Sequence, residues 1–404
     1  MEQVSRRKFL QGVAAMAPAL SVLGATPSFA VDPAKDLPGP GAMGAKGGPA
    51  HVTAFVGTQT GGTSKGVYAY AWDAGQGRLT LMGLAAESAF PTFLALSPDR
   101  RYLFTANEVD LFHGAKSGGV SSYRIGPREG QLTSVNGVTT GGAGTCFVGV
   151  DPSGRTLLCA NYAGGSAASF RIGMDGVLSP AVSEFHYTGT GPNKERQEAP
   201  HVHRAISSPS GKHAFFNDLG LDVIHIYKLD AATGRLSPTD PSAWHAPPGS
   251  GPRALRFHPS GKWAYAVLEM GASVVQLDWD ESAGLLTTKQ ETSLLPLGFK
   301  GRAQASEIVF DTSGRFAYVA CRYYDELVTF SVDPATGRLE FLARSTCGGQ
   351  VPRYITLDPS ERWMLVTNQD SNNIAVIARD PATGHVSDQV KLVPLDKPQC
   401  IVFV

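Results

Sequence analysis

Two counts of the same repeat disagree by one, and that disagreement restricts the fold more than any other feature of the chain. An apolar run, a tight Ser-Pro-Ser-Gly-like turn and a second apolar run recur six times: FLALSPDRRYLFTANEV, FVGVDPSGRTLLCANYA, HRAISSPSGKHAFFNDLG, ALRFHPSGKWAYAVLEMG, EIVFDTSGRFAYVACRYY and YITLDPSERWMLVTNQDS. Pro98, Pro152, Pro209, Pro259 and Pro359 mark five of these turns and Thr312 the other, at spacings of 47–57 residues. A second turn, of the DPATGRL kind, recurs seven times, with its glycine at Gly77, Gly130, Gly176, Gly234, Gly284, Gly337 and Gly384. The unmatched turn lies in HVTAFVGTQTGGTSKGVYAYAWDAGQGRLT, which has the later strands of a unit but not its first. KPQCIVFV, Lys397 to Val404, is a first strand with nothing after it. The two ends together complete a seventh unit. About 50 residues and four strands per unit is the arithmetic of a β-propeller blade. The expected fold is all-β: a seven-bladed β-propeller of four-stranded blades over residues 51–404, the ring closed by the C-terminal strand joining the N-terminal blade. Such closure leaves no long open sheet edge. A β-sandwich or a solenoid does not account for the split unit.

The composition fits. At 42% hydrophobic and 17% charged residues the chain can bury a core, and 46 glycines and 27 prolines suit a fold with many turns. Lys plus Arg equals Asp plus Glu at 35 each, which argues against a nucleic-acid or membrane-surface partner. Residues 1–30 read as a Tat-type signal peptide. Paired Arg6 and Arg7 precede Phe9 and Leu10, a weak apolar run follows, and Ser28 and Ala30 give a small-x-small cleavage pattern. The segment is too short and glycine-broken for a membrane span. Residues 31–50 are Gly/Pro/Ala-rich and read as a flexible leader. These features predict periplasmic localisation after passage through the Tat machinery, with no membrane association after cleavage. A chain exported that way folds in a reducing compartment, so disulfides are not expected. The five cysteines agree: the number is odd, no metal-type spacing appears, and most lie in apolar runs.

The repeat register predicts where chemistry lies. In a blade, the connection into the innermost strand and the loop leaving the second strand share one face. Six residues before the turn proline gives Thr92, Cys146, His203, Arg253, Ser306 and Arg353, with Gln399 equivalent in the last blade. Ten residues after it gives Glu108, Tyr162, Leu219, Glu269, Arg322 and Gln369, with Asp218 one place earlier in its blade. Flanking positions are mostly Val, Leu, Ile, Phe and Ala, so these columns are a polar ring at a cavity mouth, the default place for a binding site; a wet, polar channel with no chemistry is the plainer reading. His203 falls in the column of Arg253 and Arg353, and His201 two residues upstream in the connector. A metal pair needs a third ligand; Asp218 or Glu198 is available, without metal spacing. Arg253 and Glu269 are joined by a strand, a turn and a strand, which returns them side by side, either as a salt bridge or as a carboxylate base beside an anion-holding cation. Glu307 is one residue off the inner column, a register that turns it from the channel.

RQEAPHVH, NYAGGS, DLGLDVIHIY, GPRALRFHPSGKWAYAVLE and SEIVFDTSGRFAYVACR resemble the seven-bladed propeller lactonases, a group that includes propeller-type 6-phosphogluconolactonases and carboxy-muconate cycloisomerases. The similarity spans essentially all of residues 51–404. It implies a cavity using a His, an Arg, a Glu and a second Arg. These map onto His203, Arg253, Glu269 and Arg322 as catalytic residues; the register columns and the connector add His201, Asp218, Tyr162, Arg353, Glu108 and Gln369 around the substrate. Ala254 after the GPR arginine and Tyr323-Tyr324 after Arg322 depart from the His and Gly-His common in the family, which bears on the substrate more than the fold. The implied activity is metal-free hydrolysis of a small-molecule sugar lactone with no organic cofactor, by general acid/base catalysis, from a monomer. An exported protein meets unphosphorylated aldonolactones. No G-x-S-x-G elbow indicates an acyl-enzyme. The alternatives are a lactonising cycloisomerase and a non-catalytic periplasmic binding propeller.

Overall fold

The computed structural model describes residues 52–404; the segments read as a signal peptide and leader lie outside them. Twenty-eight strands form seven four-stranded antiparallel sheets. The blades, numbered from the first complete repeat, have inner strands Pro91–Leu96, Thr145–Val150, Val202–Ser207, Pro252–Phe257, Gln304–Phe310, Pro352–Leu357 and Pro398–Phe403. Four of these begin with proline, which lacks an amide to donate and so suits the first position of a strand. Six blades are continuous in sequence. The seventh pairs Pro398–Phe403 with Val52–Thr58, matching Phe403 to Ala54, Val402 to Phe55 and Ile401 to Val56. This is the closure that the unequal repeat counts require.

Second strands such as Tyr102–Asn107, Thr156–Asn161 and Trp263–Leu268 are buried at every position, because each blade is covered on both faces by its neighbours. That is why they read as unbroken apolar runs. At the end of three of them an asparagine ties down the connector that leads to its own blade's inner strand. Asn107, Asn161 and Asn368 donate side-chain amides to the carbonyls of Ala89, Thr140 and Cys347. The first turn of the repeat is held by its aspartate: Asp151 accepts from the amides of Ser153, Arg155 and Thr156 and from the Ser153 hydroxyl. All five cysteines are buried and free.

The inner strands share one irregularity. In blades 1–4 and 6, the ladder to the second strand skips one residue: Thr92, Cys146, His203, Arg253 and Arg353. In blade 5 it skips Ser306 and Glu307, and in blade 7 it skips Gln399. These are β-bulges, which re-aim a side chain and bend the strand. The column picked out by the repeat register is the column of bulged residues.

The second turn explains its repeated glycine. Gly337 has φ +73°, and a Cβ there would overlap the Trp263 ring of the preceding blade, while its carbonyl accepts from the Tyr265 hydroxyl. Gly384 repeats this against Phe316 and Tyr318, one blade on. Glycine is needed for the left-handed backbone and for the close approach of the blades. We expect Gly337→Ala to lower stability by about 2–4 kcal/mol in urea unfolding, the sum of backbone strain and overpacking. Gly114→Ala, at φ +83° with nothing near its added methyl, is expected to cost only ~1 kcal/mol.

Candidate active site

The hairpin of blade 4 carries Arg253 on its bulge and Glu269 just past its second strand, and the Glu269 amide donates to the Gly251 carbonyl at 2.8 Å. The two side chains meet as the hairpin length predicts, Arg253 Nε lying 3.1 Å from Glu269 Oε2. Arg322, the last residue of the second strand of blade 5, reaches the same oxygen at 2.6 Å. Glu269 Oε1 is held by Arg196 Nη2 at 2.6 Å, and the same Arg196 nitrogen lies 3.3 Å from the Tyr162 hydroxyl. Glu269 is thus a carboxylate at 2% exposure shared by three guanidinium groups. Burial alone would raise its pKa; Arg322, Arg196 and Arg253 outweigh that and hold it at about 2. Arg253 experiences the converse: burial, then Arg322 and Arg353, bring it down to about 9. It remains a cation at neutral pH.

His203 sits on the bulge of blade 3, buried, with its ring edge-on to Tyr162 at 5.6 Å. Burial, then Arg253 and Arg353, hold its pKa well below 6.5, so it is a neutral imidazole at pH 7. His201 is placed differently. Its ring stacks on Tyr162 at 4.4 Å, with Nδ1 3.0 Å from the Tyr162 carbonyl and Nε2 3.1 Å from Glu198 Oε1. Both of its nitrogens are engaged with the protein, and it props Tyr162 beside His203. Among the described residues, no group of three or more His, Cys, Asp or Glu side chains is gathered as a metal ion would need.

Other expected contacts are arranged less simply. Arg353 Nη2 lies 3.7 Å from Glu108 Oε2 at the mouth. Asp218 is fully buried behind the site, where its Oδ1 accepts from the amides of His201, Gly220 and Leu221. It clamps the loop that carries His201. The Gln369 amide donates to neighbouring Asp370. Glu307 does not turn from the channel. The wide bulge of blade 5 resets the alternation, so Glu307 lines the axis and pairs with Arg204 and Arg256. In the same way Phe93, Phe147, Arg204 and Tyr354, each one residue past a bulge, form a floor beneath the column, with the Arg204 guanidinium 4.5 Å from the Phe147 ring centre.

The axial cavity between column and floor measures about 10 Å³, room for roughly one water. The space left for a sugar-sized ligand is above it, at the mouth. There the protein presents four guanidiniums, Arg196, Arg253, Arg322 and Arg353, against two carboxylates, Glu269 and Glu108. Arg196 escapes the repeat register because it lies in the connector between blades 2 and 3. The signal for it is that connector's length and its RQE sequence.

A model of the family described as lactonase, 7-bladed beta-propeller matches residues 53–403. The chain belongs to the seven-bladed β-propeller lactonases. This lactonase is 34% identical over 350 residues to the 6-phosphogluconolactonase of Bacillus subtilis, covering 87% of this chain and 97% of that one. It is 30% identical to the 6-phosphogluconolactonase of Formosa agariphila, over 79% of this chain and 90% of the relative. Among solved structures it is similar to the periplasmic gluconolactonase of Pseudomonas aeruginosa, with a TM-score of 0.81 and 35% identity over 87% of this chain and 99% of that one.

Because the Glu269 carboxylate has a lowered pKa, the stability it contributes is present above about pH 4.5 and is lost as pH falls toward about 2. Glu269→Gln leaves two buried cations, Arg253 and Arg322, and the half-buried Arg196 without their shared counter-charge. We expect it to cost about 3 kcal/mol at pH 7 in urea unfolding. The gap between wild type and variant is expected to narrow as pH is lowered from 4.5 toward 2.

Proposed function

We propose that this lactonase hydrolyses an aldonolactone at the mouth of the channel, with His203 as the base and Arg253 and Arg322 as the electrophilic pair. The observation that carries this reading is a division of labour around Arg253: on one side a carboxylate, Glu269, saturated by arginines, and in the same cavity lining a neutral histidine, His203. A carboxylate held near pKa 2 is a weak base, so the part of Glu269 is to orient Arg253, Arg322 and Arg196. His203 has a lone pair to offer at neutral pH. Water attacks the lactone carbonyl and His203 takes its proton. The carbonyl oxygen becomes an oxyanion opposite Arg253 and Arg322, buried cations already in place. As the tetrahedral intermediate collapses, the bond from carbon to ring oxygen breaks and His203 returns the proton to that oxygen. The products are an open-chain carboxylate and a proton released to solvent. The arginines that depress the His203 pKa at rest are partly neutralised by the oxyanion, so the imidazole gains basicity as charge develops.

The substrate we favour is an unphosphorylated aldonolactone met outside the cytoplasm by a monomeric, exported protein. Twin arginines Arg6 and Arg7 and the similarity to a periplasmic gluconolactonase support export. If the Tat route is correct, replacing both arginines by lysine leaves the protein in the cytoplasmic fraction; unchanged periplasmic delivery would point to another route.

The deciding assay measures opening of glucono-δ-lactone and of its 6-phosphate by the mature protein after EDTA, against Arg253→Ala. We expect turnover to survive EDTA and the variant to lose about 10²–10³-fold in kcat. The acid limb of the kcat/KM profile is expected below pH 6.5, where the depressed His203 finally protonates. Loss of activity to EDTA would point to a metal. Rates no faster than spontaneous opening on both lactones would overturn the substrate class.

A further inference from the structure

Below the mouth, the axial cavity is lined by three guanidiniums, Arg204, Arg253 and Arg353, against one carboxylate, Glu307. The ion pairs around the channel are unbalanced in the same direction. Arg196, Arg253 and Arg322 share Glu269, Arg204 and Arg256 share Glu307, and Arg353 faces Glu108, which makes six guanidiniums on three carboxylates. The oxygens of Glu307 are already engaged by Arg204, Arg256 and the Ile308 amide. Two buried donors of the lining are unused: the Thr92 hydroxyl and the Arg204 Nε–H have no hydrogen-bond partner among the described residues. Thr92 comes from the column above the cavity and Arg204 from the floor beneath it. A buried donor left unmet is costly, and buried charge in excess of its counter-charge is more so.

We propose that the axial cavity is a binding site for a monatomic anion, chloride in ordinary salt, held by the Thr92 hydroxyl and the Arg204 Nε–H and surrounded by the lining guanidiniums. Size and charge together select this ligand. At about 10 Å³ the cavity takes one water-sized particle, which admits a halide and excludes phosphate, sulfate or a carboxylate. A water there would meet the two donors and leave the cationic excess as it is, whereas an anion offsets part of that excess where screening is weak. The site lies under the space left for a sugar and is independent of the reaction proposed there.

The test uses the mature protein and Thr92→Val, which exchanges the hydroxyl for a methyl group of similar size. Thermal midpoints are measured as chloride is varied at constant ionic strength against methanesulfonate, an anion too large for the cavity. We expect the wild-type midpoint to rise about 2 °C for each tenfold increase in chloride above its Kd. Thr92→Val is expected to need about tenfold more chloride for the same rise. Crystals grown in bromide are expected to show an anomalous peak on the axis, between Thr92 and Arg204. A wild-type midpoint indifferent to chloride overturns the proposal, and that comparison does not require the variant to fold. An axial peak without the rise marks an adventitious ion only and overturns it as well. So does an unchanged chloride requirement in folded Thr92→Val, or a bromide seated only at Arg253 and Arg322 in the mouth. None of these measurements uses a lactone, so the proposed reaction stands or falls separately.

Discussion

Every inner strand carries at least one residue more than its neighbour can pair, and the site depends on that surplus. An even ladder would alternate side chains strictly, giving the axis one residue in two. The bulge adds a polar residue at the rim without using up an interior position, and it shifts the parity of the residues beyond it. His203, Arg253 and Arg353 stand on such bulges; Arg204 and Tyr354 face the axis because they come after them, and Glu307 because the bulge of blade 5 takes in two residues. The same distortion repeated around the ring thus builds two layers, a charged mouth and a mixed ionic and aromatic floor.

The mouth is electrostatically loaded before any ligand arrives. Its guanidiniums outnumber its carboxylates, and both lie where water screens them poorly. The excess depresses His203 and Arg253, and Glu269 keeps its charge only because three arginines counter the cost of its burial. Holding these cations together is opposed by their mutual repulsion, which the folding of the blades offsets and the reaction does not have to. An oxyanion formed there enters a field that already favours it.

Much of this is legible in the sequence, for a physical reason. Closure forces seven equivalent units, so the repeat register carries three-dimensional information: it brings Arg253 beside Glu269, and sets Arg322 one blade along. It also separates His203 from His201, whose ring the structure engages with Tyr162 and Glu198. The register fails where the chain leaves the repeat. Arg196 lies in a connector with no counterpart in other blades. Strict alternation turns Glu307 the wrong way, because the bulge beside it skips two residues. Asp218 reads as part of the polar ring, yet a carboxylate at a strand end serves equally well to bind loop amides, and position alone does not tell the two uses apart.

The seventh sheet joins the two ends of the described chain, pairing Ala54 with Phe403. In folding terms this is the contact with the greatest loop-closure entropy, since it forms across almost the whole described sequence. The other six sheets are built from neighbours in sequence and lose far less. Once made, the clasp has the opposite effect: neither end of the described chain is left as a loose strand from which a blade could peel. The ring therefore couples slow completion to long persistence, a kinetic form of stability suited to a protein with no disulfide among its described residues.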